Sequence, residues 1–402
     1  MHCSNPEHFI RTIVETNRRA GIDDDLIDLI ESYAVLRLAR NREVDFFNGA
    51  KSTAKHNHEL ESFLVRNSHL DEETKNFLVA YFQEMRDARL TCVLNLAHLA
   101  NLLQTSLTEL EQMAKSPEKY YQIFHIGKPG GKKREIQAPA TKLKDVQRKI
   151  LDTILHPIPL NDYAEGFRPK RSIVTNALHH TGNTIVLKMD LHQFFPSISL
   201  CRVRGMFISL GYPRNVACLL SKISCFNNVL PTGAPTSPAI SNILCRRLDK
   251  RFVNLGKKTG FSYSRYADDL TISGNEEHIV KMIPFYREII NQEGFRINER
   301  KFRILRNGKR QTVTGLVVNE KPNISKNKRK MLRAVLHNCR QGNIDQQHAR
   351  WVYEYKRFPT HKFYSVDNFR RSLLANIHFV KMVNPNEGSK LLSSYYAVQW
   401  PV

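Results

Sequence analysis

A chain of 402 residues with 41% hydrophobic and 25% charged content has room for two or three compact units and a substantial core, which excludes general disorder. It carries 61 Lys and Arg against 38 Asp and Glu, a net charge of +23. An excess of that size suits a polyanion, because neutralising phosphates releases their counterions. Seven scattered cysteines without a C-x-x-C pair read as thiols of a reducing cytoplasm rather than as zinc or disulfide frameworks. No apolar run approaches the ~20 residues of a membrane span, and Met1–Pro6 has no apolar signal-peptide core. The expectation is a cytoplasmic protein without a membrane partner that meets nucleic acid.

The charge is unevenly spread. Residues 1–118 carry 13 basic and 19 acidic side chains, whereas residues 281–402 carry 24 basic and 8 acidic ones. The N-terminal part is therefore not built to meet phosphate, and the C-terminal part is.

In chain order, residues 1–118 read as helical. Asp25 can cap a segment with apolar residues at Leu26, Ile27, Leu29, Ile30, Tyr33 and Leu36. Asp71 opens a second helix with Glu72 and Glu73 in its first turn, and Ser106-Leu107-Thr108-Glu109 has the form of a capping box that opens a third. Leu94–Met113 resembles a helix-turn-helix in outline but lacks the basic residues that DNA contact needs. From about Tyr120, β-rich stretches (Ile185–Met189, Asp269–Ser273, Thr312–Val318) alternate with helical segments and Gly/Pro punctuation. This predicts an α+β unit with a strand hairpin at its centre. From about Ser325 the pattern is helical again, with Lys326, Lys328, Arg329, Lys330 and Arg333 on a segment that also carries Met331, Leu332, Val335 and Leu336.

The sharpest chemical signal is Tyr266-Ala267-Asp268-Asp269 between β-compatible flanks. Adjacent carboxylates repel each other and are tolerated where solvent or a divalent cation neutralises them. By itself the motif is compatible with an ordinary acidic turn. Lys188-Met189-Asp190 ends a second β-like run, and Phe194-Phe195 follows. Carboxylates at two neighbouring strand ends are what two-Mg²⁺ phosphoryl transfer requires, with no His or Cys ligands expected.

In order along the chain, these blocks resemble the fingers and palm motifs of reverse transcriptases. Lys128 and Lys132-Lys133-Arg134-Glu135-Ile136 resemble the first fingers block, and Gly166-Phe167-Arg168-Pro169 the second. Asp190–Phe195 resembles motif A, Leu230–Pro238 motif B, Tyr266–Asp269 motif C, and Gly294–Asn298 with Lys301 motif D. The likeness covers roughly residues 120–320. It implies a right-hand polymerase fold (fingers, palm, thumb) with an additional N-terminal helical region. The implied domains are 1–118 helical, 119–320 fingers and palm, and 321–402 a basic helical thumb and C-terminal region.

The resemblance also implies roles. Asp190, Asp268 and Asp269 would be catalytic and hold Mg²⁺. Lys128 and Arg134 would grip the triphosphate. Phe195 would gate against a ribose 2′-OH, although a core phenylalanine is an equal reading of the residue. Thr232 and Gly233 would lie at the nucleotide, with Thr232 standing where the family commonly has Gln. Lys301 is a candidate general acid for pyrophosphate departure.

Asn176-Ala177-Leu178-His179-His180 and Val313-Thr314-Gly315 resemble the N-A-x-x-H and V-T-G elements of bacterial retron enzymes. That likeness implies RNA contact by Asn176, His180, Val313, Thr314 and Gly315, joined by the thumb residues Lys328, Arg329 and Lys330. It implies a cognate structured non-coding RNA, dNTPs and a branched RNA–DNA product (msDNA). It further implies a separate effector protein in an anti-phage defence system. The acidic N-terminal region is the place to look for effector contact or self-association. A group II intron-like or other defence-class reverse transcriptase, and a non-catalytic RNA-binding scaffold, are the alternatives.

Overall fold

The structure, a computed structural model, describes residues 28–29, 72–127, 131, 133–275, 277–354 and 365–401. The expected helix opened by Asp25 (apart from Asp28 and Leu29), the cap Asp71 and the fingers residues Lys128 and Lys132 lie outside the described residues. Along the chain run α1 (Glu72–Asp87), α2 (Leu96–Leu102), α3 (Leu107–Lys115), β1 (Tyr121–Gly127), β2 (Lys133–Pro139), α4 (Thr141–Ile150), α5 (Ile173–Leu178) and β3 (Ile185–Asp190). Next come α6 (Leu200–Ser209), α7 (Arg214–Ser224), α8 (Ser237–Leu244), α9 (Arg246–Thr259), β4 (Ser262–Tyr266) and β5 (Asp269–Gly274). The remainder is α10 (His278–Lys281), α11 (Ile283–Gln292), β6 (Arg303–Arg306), β7 (Thr312–Val313), β8 (Leu316–Val317), α12 (Lys326–Arg340), α13 (Ile344–Glu354), α14 (Val366–Val383) and α15 (Pro385–Tyr396).

The chain folds as two compact units. The first combines the described residues up to Phe124 with Glu135–Leu160 and Gln193–Arg246. The second combines the described residues among 125–134, Asn161–His192 and the described residues from Arg247 on.

In the first unit α7 packs against α6 and also meets α2, α3 and α4. Asn95 and Ser106 cap α2 and α3 by accepting the amides of His98 (2.8 Å) and Glu109 (3.2 Å), which satisfies donors that a helix start leaves unpaired. Three side-chain bonds tie these early helices into the unit: the Tyr81 hydroxyl donates to the Gly211 carbonyl (3.0 Å), Lys149 Nζ to the Leu103 carbonyl (2.8 Å), and the Thr91 hydroxyl to the Thr153 carbonyl. Thr153 lies in a π-helical turn, Leu151–Leu155, that follows α4. Buried Gln147 donates to the Tyr121 hydroxyl (2.9 Å) and the Ile223 carbonyl (2.8 Å).

The second unit is built on a four-stranded sheet in the order β4-β5-β3-β6, antiparallel at every pair. Strands β3 and β5 are apolar or fully buried at nearly every position, so both faces of the sheet centre are covered. On one side Phe252 of α9 stacks on Tyr263 of β4 (4.9 Å between centroids, 8° between planes), and Tyr286 of α11 packs beside Phe252 and Phe261. A separate apolar core joins Ala177, Val186, Val313 and Leu316 to Leu332, Leu336, Leu373 and Ile377 of the C-terminal helices.

One expected strand is something else. The stretch Thr312–Val318 is a tight hairpin, β7 and β8, joined by Thr314 (φ 46°) and Gly315 (φ 83°). Two consecutive positive φ values are those of a type I′ turn, whose twist matches paired strands and whose second position favours glycine.

Helices α14 and α15 pack closely, and a Cβ on Gly388 would lie 2.2 Å from the Cα of Lys381. No side-chain rotation relieves a clash with backbone. Gly388→Ala should therefore lower stability by about 3 kcal/mol, read as an earlier urea midpoint at unchanged m-value; an unmoved midpoint would show that the helices separate freely.

Candidate active site

The register of β3 against β5 builds the site. Asp190 stands directly opposite Asp269 at the end of the ladder. Just beyond it the Leu191 amide donates to the Asp268 carbonyl (2.8 Å). Strands β4 and β5 pair Tyr266 with Asp269, so the loop between them is only Ala267-Asp268. Ala267 has φ 59°, the positive value that a type II′ hairpin turn places at its first loop residue. Three carboxylates thus meet at two adjacent strand ends.

Their electrostatics follow from burial. Asp268 is pushed above the usual carboxylate range by burial first and by Asp190 second. Asp269 is also raised by burial, against the pull of Lys188. Two ammonium groups offset the clustered charge. Lys188 lies two residues before Asp190 and reaches Asp269 Oδ2 at 3.0 Å. Lys301 reaches Asp190 Oδ2 at 2.6 Å. The Gly294–Lys301 segment is fastened to β3: the Asn298 amide donates to the Asp190 carbonyl (2.7 Å) and Asn298 Nδ2 to Asp190 Oδ1 (3.3 Å).

Among the described residues no three His, Cys, Asp or Glu side chains converge into a ready-made metal cage. Mg²⁺ does not need one, because it binds through one or two carboxylates and fills its octahedron with water and substrate phosphates. Asp190 and Asp268 form such a pair, all-oxygen and close enough that the charge of Asp190 raises Asp268. The residues fit that ion, with Asp269 tied to Lys188.

Other expected site residues lie as follows. Arg134 is exposed on β2. In the first unit Phe194 is the core aromatic, while Phe195 is only partly buried with its ring 5.4 Å from that of Phe194. Thr232 is half-buried, and a Cβ on Gly233 would come within 2.7 Å of the Gln137 carbonyl. Glycine at 233 is thus required by the close passage of the β2 backbone.

Asn176, His180 and Val313 require correction as RNA contacts. All three are buried (1%, 0% and 0% exposed). Val313 belongs to the apolar core. Both ring nitrogens of His180 and the Oδ1 of Asn176 are engaged inside the protein, while Asn176 Nδ2 is buried without a hydrogen-bond partner among the described residues. Ser264 Oγ donates to Asn176 Oδ1 (2.6 Å), so its proton is committed, and His180 Nε2 must donate to Ser264 Oγ (2.7 Å). His180 Nδ1 then accepts from Ser273 Oγ (2.7 Å), which in turn accepts from Asn183 Nδ2 (3.2 Å). This neutral tautomer ties the back of β4 to the back of β5. Burial, with His179 as the lesser cause, pushes the imidazole down to about 3. Thr314 is half-buried and donates to the Ile173 carbonyl (3.1 Å), and Gly315 is exposed in the turn. On α12, Lys328 sits over the Phe379 ring (4.9 Å) and is lowered by desolvation; Arg329 is half-buried, and Lys330 is exposed.

A family model described as "Reverse transcriptase (RNA-dependent DNA polymerase)" matches residues 126–349. The chain is 35% identical over 292 residues to the retron Mx65 reverse transcriptase of Myxococcus xanthus, covering 68% of this chain and 64% of that one. It is 36% identical over 274 residues to the retron Ec86 reverse transcriptase of Escherichia coli, covering 67% of this chain and 86% of that one. To the retron Mx162 reverse transcriptase of Myxococcus xanthus it is 37% identical over 283 residues, 61% and 58% of the two chains. The chain belongs to the retron-type reverse transcriptases. It spans about three fifths of the length of the two Myxococcus relatives. The reverse transcriptase match opens after α3, so α1–α3 lie outside it.

The roles of three side chains around the motif C aspartates escaped the sequence reading. Lys188 was legible in principle, since residues two apart on a strand share a face. Arg265 and Asp249, both fully buried, were not, because sequence alone does not mark a charged side chain as a core one.

The buried imidazole carries a testable pH dependence. His180 binds its proton at about 3 in the folded protein and near 6.5 when unfolded, so between those values the unfolded chain binds more protons. Stability contributed by the neutral ring is complete above pH 6.5 and is lost as pH falls. Between pH 8 and pH 5 the loss is about 2 kcal/mol. In His180→Gln that part of the difference should vanish from urea unfolding at the two pH values; an undiminished difference would assign the acid sensitivity elsewhere.

Proposed function

We propose that this protein copies part of a cognate structured non-coding RNA into DNA, starting from an internal guanosine 2′-OH of that RNA and yielding a branched RNA–DNA product. The observation that carries the reading is the meeting of Asp190, Asp268 and Asp269 at the β3 and β5 ends in a chain of retron-type family. That constellation also disfavours a purely scaffolding role, for which buried, mutually repelling carboxylates would be a needless destabilisation.

In this reading Asp190 and Asp268 hold Mg²⁺, and Asp269 supports them through its pairing with Lys188. Bound Mg²⁺ would supply the charge that activates the attacking hydroxyl and neutralises the departing pyrophosphate. Lys301, at the site edge on Asp190, is placed to give a proton to that pyrophosphate. Arg134 and Lys128 grip the triphosphate as charge-assisted donors. By the family resemblance, Phe195 screens the sugar against a 2′-OH, and Thr232 and Gly233 contact the nucleotide. Lys330, Arg329 and the exposed Gly315 turn belong to the RNA-binding surface, where phosphate and shape contacts dominate. A separate effector protein and an anti-phage role extend the reading on family membership alone.

Purified with its neighbouring transcript, the protein should carry a covalent RNA–DNA species joined 2′–5′. Asp268→Ala should abolish dNTP incorporation while RNA affinity stays within about twofold; DNA without a branch, or synthesis that survives the substitution, would sink the assignment.

The thumb lysines should separate. Lys330→Ala should reduce the slope of log affinity against log salt by about one. Lys328→Ala should leave the slope unchanged and cost about 1–2 kcal/mol of stability through the lost ring contact. The reverse pattern would exchange their roles.

A further inference from the structure

The catalytic hairpin turn is held from behind by groups that no metal or substrate role requires. Arg265, the residue before Tyr266, is completely buried, as is Asp249 of α9. Its guanidinium grips Asp249 with two parallel bonds, Nε to Oδ1 (2.8 Å) and Nη2 to Oδ2 (2.7 Å), and the Tyr263 hydroxyl donates to the same Oδ1 (2.8 Å). The remaining arm, Nη1, donates to the carbonyl of Ala267 (3.2 Å). Main-chain bonds fix the Arg265 backbone as well: its amide donates to the Tyr163 carbonyl and its carbonyl accepts from the Glu165 amide, both at 2.8 Å.

The turn is closed from its other side. Glu165 is buried and bound by Thr175 (2.6 Å), His179 (2.8 Å) and Arg171 (3.1 Å). It anchors the loop that brings Gly166 so near that a Cβ there would sit 2.6 Å from the Ala267 amide nitrogen. Ala267 occupies the left-handed region (φ 59°), which an alanine keeps only where its surroundings over-determine it. The Ala267 carbonyl belongs to the peptide unit that leads into Asp268. Whatever orients that carbonyl also orients the Asp268 backbone.

We propose that Arg265, clamped by Asp249, is a positioning residue that sets the geometry of the Ala267-Asp268 turn for nucleotidyl transfer; this rests on the polymerase reading above. A buried ion pair is poor evidence for stability, since an apolar pair of similar volume often serves as well or better. What an apolar pair cannot reproduce is the third bond, from Nη1 to the turn. Lysine cannot reproduce the fork either, because it is a point charge rather than a planar guanidinium.

The test replaces the three side chains together: Arg265→Met with Asp249→Leu and Tyr263→Phe. The triple variant should fold, with a melting temperature and RNA affinity near those of the unmodified protein. Its kcat for dNTP incorporation should fall roughly 100-fold, the scale at which misplacement by about 1 Å acts, with KM little changed. Arg265→Lys should be intermediate. A folded triple variant with unreduced kcat, or a kcat that falls only in proportion to the folded fraction, overturns the proposal. If the triple variant does not fold, Arg265→Lys decides, and an unreduced kcat there overturns it equally. Unmodified protein and Asp268→Ala run alongside. Absent incorporation by the former or retained incorporation by the latter overturns the polymerase reading, and this proposal with it. An inactive Asp268→Ala beside a fully active triple variant overturns the proposal alone.

Discussion

The antiparallel pairing of β3 with β5, in the register that sets Asp190 against Asp269, is the constraint on which the second unit turns. Shifting either strand by one residue would exchange its two faces. That would carry the carboxylates away from one another and move Leu187, Met189, Leu270 and Ile272, which share one face, out of the packing that buries them. The register is therefore held by the same apolar burial that stabilises the sheet. Chemistry at the strand ends comes as a consequence of packing in the strand centres.

Placing like charges opposite one another on a sheet is unfavourable, and the surroundings show how that cost is offset. Lys188 answers Asp269 from the same strand as Asp190, and Lys301 answers Asp190 from the short turn before β6. Burial nevertheless raises Asp268 and Asp269 above the ordinary carboxylate range. Divalent cations would relieve this repulsion, so the arrangement trades stability for affinity toward positive charge.

Behind the turn, polar networks brace the sheet in addition to its apolar core. The chain Asn176–Ser264–His180–Ser273 crosses from α5 over β4 to β5, and the Asp249–Arg265 pair joins α9 to the turn itself. Such groups are costly to bury unless satisfied. Each bond in these networks has a direction, which apolar contact lacks, and direction is what a two-residue turn with a left-handed alanine needs.

The carboxylates were legible from residues alone because Tyr266–Asp269 and Lys188–Asp190 carry both the acidic groups and the β-compatible flanks that expose them. The order of the motif blocks likewise announced the reverse transcriptase family, and the amphipathic run after Ser325 announced α12. Local spacing encodes these features, and local spacing is what a sequence displays. Tertiary structure decided the rest. It turned Asn176 and His180 from supposed RNA contacts into a buried brace, split Thr312–Val318 into a hairpin at Thr314-Gly315, and set Lys328 over Phe379 while leaving Lys330 in solvent. It also placed Arg265 and Asp249 in the core. Whether a polar side chain meets water, RNA or another side chain depends on neighbours tens of residues away, as Ser264 is from Asn176, and no window of sequence holds both ends of such a contact.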